Sequence, residues 1–81
     1  MKKALAAISD NTRLRIMTIL AKGEICACEL PERVGVSQPA VSQHLQVLLD
    51  ANIAKARVDG RKRLYSLTAF GKKVLGDIES W

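Results

Sequence analysis

Five residues in the middle of the chain, Gly35-Val36-Ser37-Gln38-Pro39, restrict the fold more than any other stretch. Residues 29–34 read as a short helix that ends at Gly35, since glycine accepts the left-handed conformation of a helix exit. Ser37 can accept hydrogen bonds from the free amides of a following helix. Pro39 fits a first turn, where amides lack intrahelical partners. The pattern predicts a short helix, a turn and a second capped helix reaching about Ala51, with Asn52 able to take a left-handed exit.

The flanking segments extend this unit. Residues 2–8 place Ala and Leu on one side of a short helix. Asp10 is a good N-cap for a second helix that runs to about Lys22 and closes at Gly23. On that helix Leu14, Ile16, Met17, Ile19 and Leu20 surround a single polar face of Asn11, Arg15, Thr18 and Lys22, which places it at the centre of the core. Beyond Asn52 the period shortens to two. Lys55 and Arg57 alternate with Ala54, Ala56 and Val58, Asp59-Gly60 signals a tight turn, and Arg61 to Leu67 forms the return strand. Thr68 then caps a last helix whose Phe70, Val74, Ile78 and Trp81 share a stripe. The order α-α-α-α-β-β-α describes one mostly helical domain, residues 1–81, with a β-hairpin wing: a winged helix-turn-helix.

Charge and composition narrow the function. The 81 residues carry a net charge of +5, from 13 Lys and Arg against 8 Asp and Glu, which draws the chain to polyanions. One Phe, one Tyr and one Trp are too few for the stacking platforms of single-strand binders. A domain this small buries only about 60–65% of its unfolded surface, so its core gains from a partner subunit. The apolar run Ala4–Ile8 is shorter than the roughly 7–15 residues of a secretory core. No stretch approaches the ~18 apolar residues of a membrane span. Two cysteines one residue apart do not staple a secreted fold, and the expected compartment is a reducing cytoplasm. With a single His and no nucleophile–base pair, an enzyme is not expected.

On the predicted second helix of the helix-turn-helix, Val41, Leu45 and Leu48 cluster on one side, flanked by Ala40 and His44. Ser37 stands at its start, and Gln38, Pro39, Ser42, Gln43 and Gln46 occupy the opposite face. A face of neutral amides and hydroxyls suits base-edge reading, since Gln pairs bidentately with adenine and Ser donates or accepts. The wing places Lys55, Arg57, Arg61, Lys62 and Arg63 within nine positions, opposed only by Asp59. That basic hairpin can hold phosphates while the helix reads sequence. Solvation of both surfaces, with charge blunting a sheet edge, is the plain alternative. His44 reads as a packed, hydrogen-bonded helix residue rather than a metal ligand, because no second His joins it.

Four segments now stand in order: Asp10-Asn11-Thr12-Arg13-Leu14-Arg15-Ile16, Glu24-Ile25-Cys26-Ala27-Cys28-Glu29-Leu30, Ser37-Gln38-Pro39-Ala40-Val41-Ser42-Gln43-His44-Leu45, and Gly60-Arg61 with Tyr65-Ser66-Leu67. Together, over residues 10–67, they strongly resemble the ArsR/SmtB family of metal-responsive repressors. The resemblance implies a homodimer on double-stranded operator DNA that needs no cofactor to bind and leaves when an inducer arrives. It implies dimerisation through the first and last helices, here Ala4, Leu5 and Ile8 with the Phe70/Val74/Ile78/Trp81 stripe. The two recognition helices should then sit about one DNA turn, roughly 34 Å, apart.

In the family, the position of Cys26 and Cys28 is a sensing site for soft ions. Thiolates favour thiophilic ions such as As(III), Sb(III) and Cd(II). On a helix, residues i and i+2 lie about 200° apart and cannot share an ion, whereas in an extended segment they can. Pro31 clashes with a helix interior and biases Leu30 away from helical angles, favouring a late helix start and a non-helical Cys26–Cys28 segment. Arsenic-sensing members carry a third Cys where this chain has Pro31, and trivalent arsenic prefers three sulfurs, so a third ligand must come from elsewhere or from a small thiol. Asp77 and Glu79 without a His make the family's zinc site on the last helix unexpected. Two other readings stay open for the cysteines: small apolar residues with no sensing role, or thiol-redox sensing. An intrachain disulfide at this spacing is awkward, so redox sensing is expected through an intersubunit bond or a sulfenic acid. A winged-helix module for protein–protein contact is a further alternative to DNA binding.

Overall fold

The computed structural model describes residues 2–79, with the side chains of Lys2 and Ala4 left aside. The expected dimer contact of the Ala4 side chain and the stripe position Trp81 therefore lie outside what the structure describes. The elements run α1 (Lys2–Ile8), α2 (Asn11–Ala21), β1 (Ile25–Cys26), a 3-10 turn (Ala27–Glu29), α3 (Leu30–Val34), α4 (Gln38–Asp50), β2 (Ala54–Asp59), β3 (Lys62–Leu67) and α5 (Ala69–Glu79). The winged helix-turn-helix order is borne out, with one short strand more than expected.

The caps act where the sequence puts them. The Asp10 carboxylate accepts from the Arg13 amide at 3.1 Å, and Ser37 Oγ accepts from the Ala40 amide at 3.2 Å. Gly35 ends α3 at φ 72°, and Asn52 leaves α4 at φ 60°, both left-handed. Leu30 is a departure: it precedes a proline yet is helical, at φ −71° and ψ −39°. Its side chain is fully buried and its amide closes the 3-10 turn onto the Ala27 carbonyl, so packing overrides the local bias. Pro31 itself sits in the first turn, where no amide is missed.

Ile16, Met17 and Leu20 of α2 form the centre of the core, against Leu30 and Val34 of α3 and Val41, Leu45 and Leu48 of α4. Ile53 at the exit from α4, Tyr65 and Leu67 of β3, and Leu75 of α5 close it. Leu14 and Ile19 are half-buried and only edge this cluster. The sheet order is β1-β3-β2, antiparallel throughout, with β3 in the middle. In β2 the alternation predicts an apolar face of Ala54, Ala56 and Val58, but only Ala54 is buried and Val58 is 69% exposed. The hairpin projects beyond the helices, so its outer half has nothing to pack on.

Thr68 ties the start of α5 to the exit from α4. Its Oγ1 donates to the Asn52 carbonyl at 2.7 Å and accepts from the Gly71 amide at 2.9 Å, while its own amide donates to the Ile53 carbonyl. This junction draws α5 so close that a methyl on Gly71 would overlap the Ile53 carbonyl oxygen. Alanine is the better helix former by about 1 kcal/mol, but overpacking against fixed backbone costs about 1–3 kcal/mol or more. Gly71→Ala should therefore lower the thermal midpoint, read by circular dichroism, whereas Gly76→Ala, which meets nothing within 4 Å, should raise it.

Candidate nucleic-acid interface and cysteine site

Ser37, Gln38, Pro39, Ser42, Gln43 and Gln46 are all exposed, and Val41, Leu45 and Leu48 are buried beneath them. Two local bonds qualify this face. Gln46 donates to the Asp50 carboxylate at 2.9 Å, which occupies one end of its amide. His44 accepts at Nδ1 from Arg13 at 3.2 Å, which leaves the neutral ring's proton on Nε2 because a guanidinium cannot accept. The same Arg13 donates to the Ala6 and Ala7 carbonyls at 2.9 Å each. His44 is thus a bonded helix residue, as the sequence suggests. Arg13 is a contact that sequence reasoning missed, since its partners lie on two other elements.

The wing's loop is shifted by one residue from expectation. Asp59 pairs with Lys62, so the two loop residues are Gly60 and Arg61 rather than Asp59 and Gly60. The positive φ falls on Gly60, at 63°, and a two-residue hairpin starts where glycine can supply it. Arg61 is therefore a loop residue and not the strand-mate of Arg63. Lys55, Arg57, Arg61, Lys62 and Arg63 are all exposed.

These cations do not act as one group. Arg57 grips the Glu24 carboxylate through Nε and Nη2, both at 2.7 Å. That fork holds the Glu24 carboxyl below its ordinary range and raises Arg57 above its own. Glu24 was not legible as a partner, because 33 residues separate the pair and only the sheet topology joins them. Arg61, Lys62 and Arg63 instead border a groove of about 310 Å³ that also takes in Gln38 and Ser42 of α4 and both cysteines. Gln43, Gln46 and Arg57 lie outside it.

Cys26 is extended, at φ −69° and ψ 135°, and pairs with Leu64 of β3. Cys28 lies on the 3-10 turn that follows. The two do not share a strand face; a corner between strand and turn folds Cys28 back, with a Cα–Cα distance of 5.2 Å. The structure joins them as an intrachain disulfide. The corner brings the Cα atoms within the range of about 4.4–6.8 Å found for disulfides. The Cys28 amide also donates to Cys26 Sγ at 3.3 Å. Cys26 is buried and Cys28 exposed. Among the described residues, no group of three or more His, Cys, Asp or Glu gathers to hold a metal ion.

The model of the bacterial regulatory protein arsR family matches residues 10–56, more than half of the chain. The chain belongs to the ArsR family. It is 43% identical over 63 residues to an arsenical resistance operon repressor of Staphylococcus aureus, a match covering 78% of this chain and 61% of that protein. It is also 43% identical over 61 residues to a probable mercury resistance operon repressor of Streptomyces lividans, covering 75% and 49%. The chain thus spans about three-fifths of the first of these relatives and about half of the second. Among solved structures, NolR from Sinorhizobium fredii superimposes with a TM-score of 0.87 at 34% identity, over 98% of this chain and 80% of that one. No helix among the described residues is long and apolar enough to cross a membrane.

The Glu24–Arg57 fork yields a pH test. A carboxylate whose folded pKa is depressed contributes stability above its unfolded value and loses it as pH falls through the folded one. Thermal melts of the wild type, Glu24→Gln, Arg57→Gln and the double variant should show favourable coupling at pH 7. That coupling should fade only below pH 4.5, the ordinary value for Glu24. Coupling unchanged at pH 2–3 would contradict an ionic origin.

Proposed function

We propose that this ArsR-family chain is a dimeric DNA-binding repressor, released from its operator when a thiophilic metalloid or metal is captured by reduced Cys26 and Cys28. One observation carries the reading: the neutral face of α4, through Gln38 and Ser42, and the basic wing tip, through Arg61, Lys62 and Arg63, border the same groove. Uncharged donors and acceptors beside concentrated cations are what sequence reading on a phosphate polymer requires. Ser37, Pro39, Gln43 and Gln46 extend the helix face. Arg57 takes part less, since its fork is engaged by Glu24.

Association through the first and last helices is supported by apolar surface left at both. Leu5 is 57% exposed, and Ile8, Phe70, Val74 and Ile78 are only half-buried. A two-fold dimer then sets the two copies of α4 about one DNA turn apart, roughly 34 Å. The proposed home is the cytoplasm, on DNA, with no catalytic role.

The inducer reading rests on the converging sulfurs and on relatives named for arsenical and mercury resistance. As(III) is the favoured inducer, with Sb(III) and Cd(II) next, all soft enough for thiolate. Capture needs the pair as free thiols. This chain supplies two cysteine thiols, and a third donor comes from elsewhere or from a small thiol. The ligand would reorganise the corner directly before α3, which supports α4, and so misalign the two reading helices.

Fluorescence anisotropy of the reduced protein on a duplex from its own upstream region tests this. Affinity should fall by orders of magnitude as salt rises, with a log–log slope of about −0.9 per phosphate contact. Arg63→Ala should weaken binding to all sequences. Gln38→Ala should relax preference by about 1–3 kcal/mol at the bases it reads. Near-stoichiometric arsenite should release the DNA, and Cys26→Ser should abolish the release. Tight binding that ignores arsenite, antimonite and cadmium would remove the inducer and keep the repressor.

A further inference from the structure

The groove beside the cysteines pairs two chemistries that DNA binding alone does not explain. Exposed Cys28 stands within it, with buried Cys26 behind. Arg61, Lys62 and Arg63 line the same space, and no acidic side chain does. Among the described residues, none of these three cations has a side-chain hydrogen bond or ion pair, unlike Arg57. At about 310 Å³ the groove is at the size where small-molecule sites begin, roughly 300 Å³. A ligand that answers all of this carries a sulfur that exchanges with a thiol and carboxylates that meet the cations.

We propose that the groove is a thiol-exchange site for small anionic disulfides, the class of carboxylate-bearing peptide disulfides such as oxidised glutathione, and that an adduct on Cys28 and DNA exclude one another. In the first step the Cys28 thiolate attacks one sulfur of the disulfide. The S–S bond of the ligand breaks, a mixed disulfide forms, and one small thiolate leaves to take up a proton. In the second, the Cys26 thiolate attacks the Cys28 sulfur, expels the second small thiol and closes the Cys26–Cys28 bond seen in the structure. The net change oxidises two protein thiols to a disulfide and reduces one small disulfide to two thiols. The division of roles follows exposure: Cys28 is exposed, whereas Cys26 borders the groove with only 6% of its surface exposed. Attraction by the three cations favours an anionic partner over a cationic one of equal intrinsic reactivity. The adduct would fill space that Gln38, Ser42, Arg61, Lys62 and Arg63 need for DNA. The selectivity stands on the groove alone, and the exclusion rests on the DNA-binding reading above.

The test uses full-length Cys26→Ser, in which the mixed disulfide on Cys28 cannot be resolved. Reduced protein freed of reductant is mixed with oxidised glutathione or with cystamine, a dicationic disulfide, and the adduct is followed by intact-protein mass spectrometry. Each rate is divided by that of the same disulfide with a small neutral thiol. Oxidised glutathione should be favoured about tenfold or more at low salt. The preference should shrink as salt rises and reverse when Arg61→Glu and Arg63→Glu are added. Equal normalised rates, or a preference blind to salt, overturn the selectivity. Cys28→Ser, leaving the buried thiol, should react at least tenfold more slowly, and comparable rates overturn the assignment of Cys28. If Cys26→Ser does not fold, release of the small thiol from wild-type protein gives the same rate comparison. The purified adduct should bind the operator duplex at least tenfold more weakly than the unmodified variant, and equal affinity overturns the exclusion. Unmodified protein that ignores DNA rejects the DNA reading and the exclusion with it, while the exchange rates still decide the selectivity.

Discussion

The pairing of Ile25 and Cys26 with Tyr65 and Leu64 holds the domain in its working shape. These backbone pairings link residues 38 and 40 positions apart, and they join the approach to the helix-turn-helix to the wing. Without them β2 and β3 would be a free two-stranded hairpin, which is marginal in water. With them the hairpin has a third strand at its base, Tyr65 is drawn under the core, and the wing keeps a fixed direction relative to α4. The Glu24–Arg57 fork lies just outside this pairing and repeats the attachment through side chains.

The same pairing explains why the cysteines and the exposed face of α4 meet. Cys26 is the last residue of β1, and the chain must turn sharply after it to begin α3. The 3-10 turn that makes this bend carries Cys28 toward the wing tip. A sensor placed there would need no long path through the protein, because the cysteines and the proposed DNA surface border one groove. The two occupancies that follow, a captured soft ion or a small disulfide adduct, would act on one groove by different chemistry.

Much of this was legible from residue types and spacing. Asp10, Gly35, Ser37 and Asn52 each mark a helix boundary by a local backbone demand, and each does so in the structure. Val41, Leu45 and Leu48 show the buried side of α4 by period alone. What was not legible depends on contacts distant in the chain. Leu30 turned helical because its burial outweighs the proline after it. The hairpin loop moved by one because Gly60, not Asp59, carries the positive φ. The bent Cys26–Cys28 corner, the Glu24–Arg57 fork and the closeness of Gly71 to Ile53 all need the sheet topology first. Gly71 in particular looks like any tolerated helix glycine until α5 is laid against the exit from α4.

Arg13 sets one further condition on the molecule. α1 has seven residues, too few to hold a helix in water by itself. Its final carbonyls are satisfied by a guanidinium from α2 whose third contact is His44 on α4. The first segment of the chain thus acquires its helical state by docking, in a coupled step, and the order at its end depends on the seating of α4. In an assembly that uses α1 as a contact, the subunit interface and α4 are then two ends of one folding equilibrium rather than two separate modules.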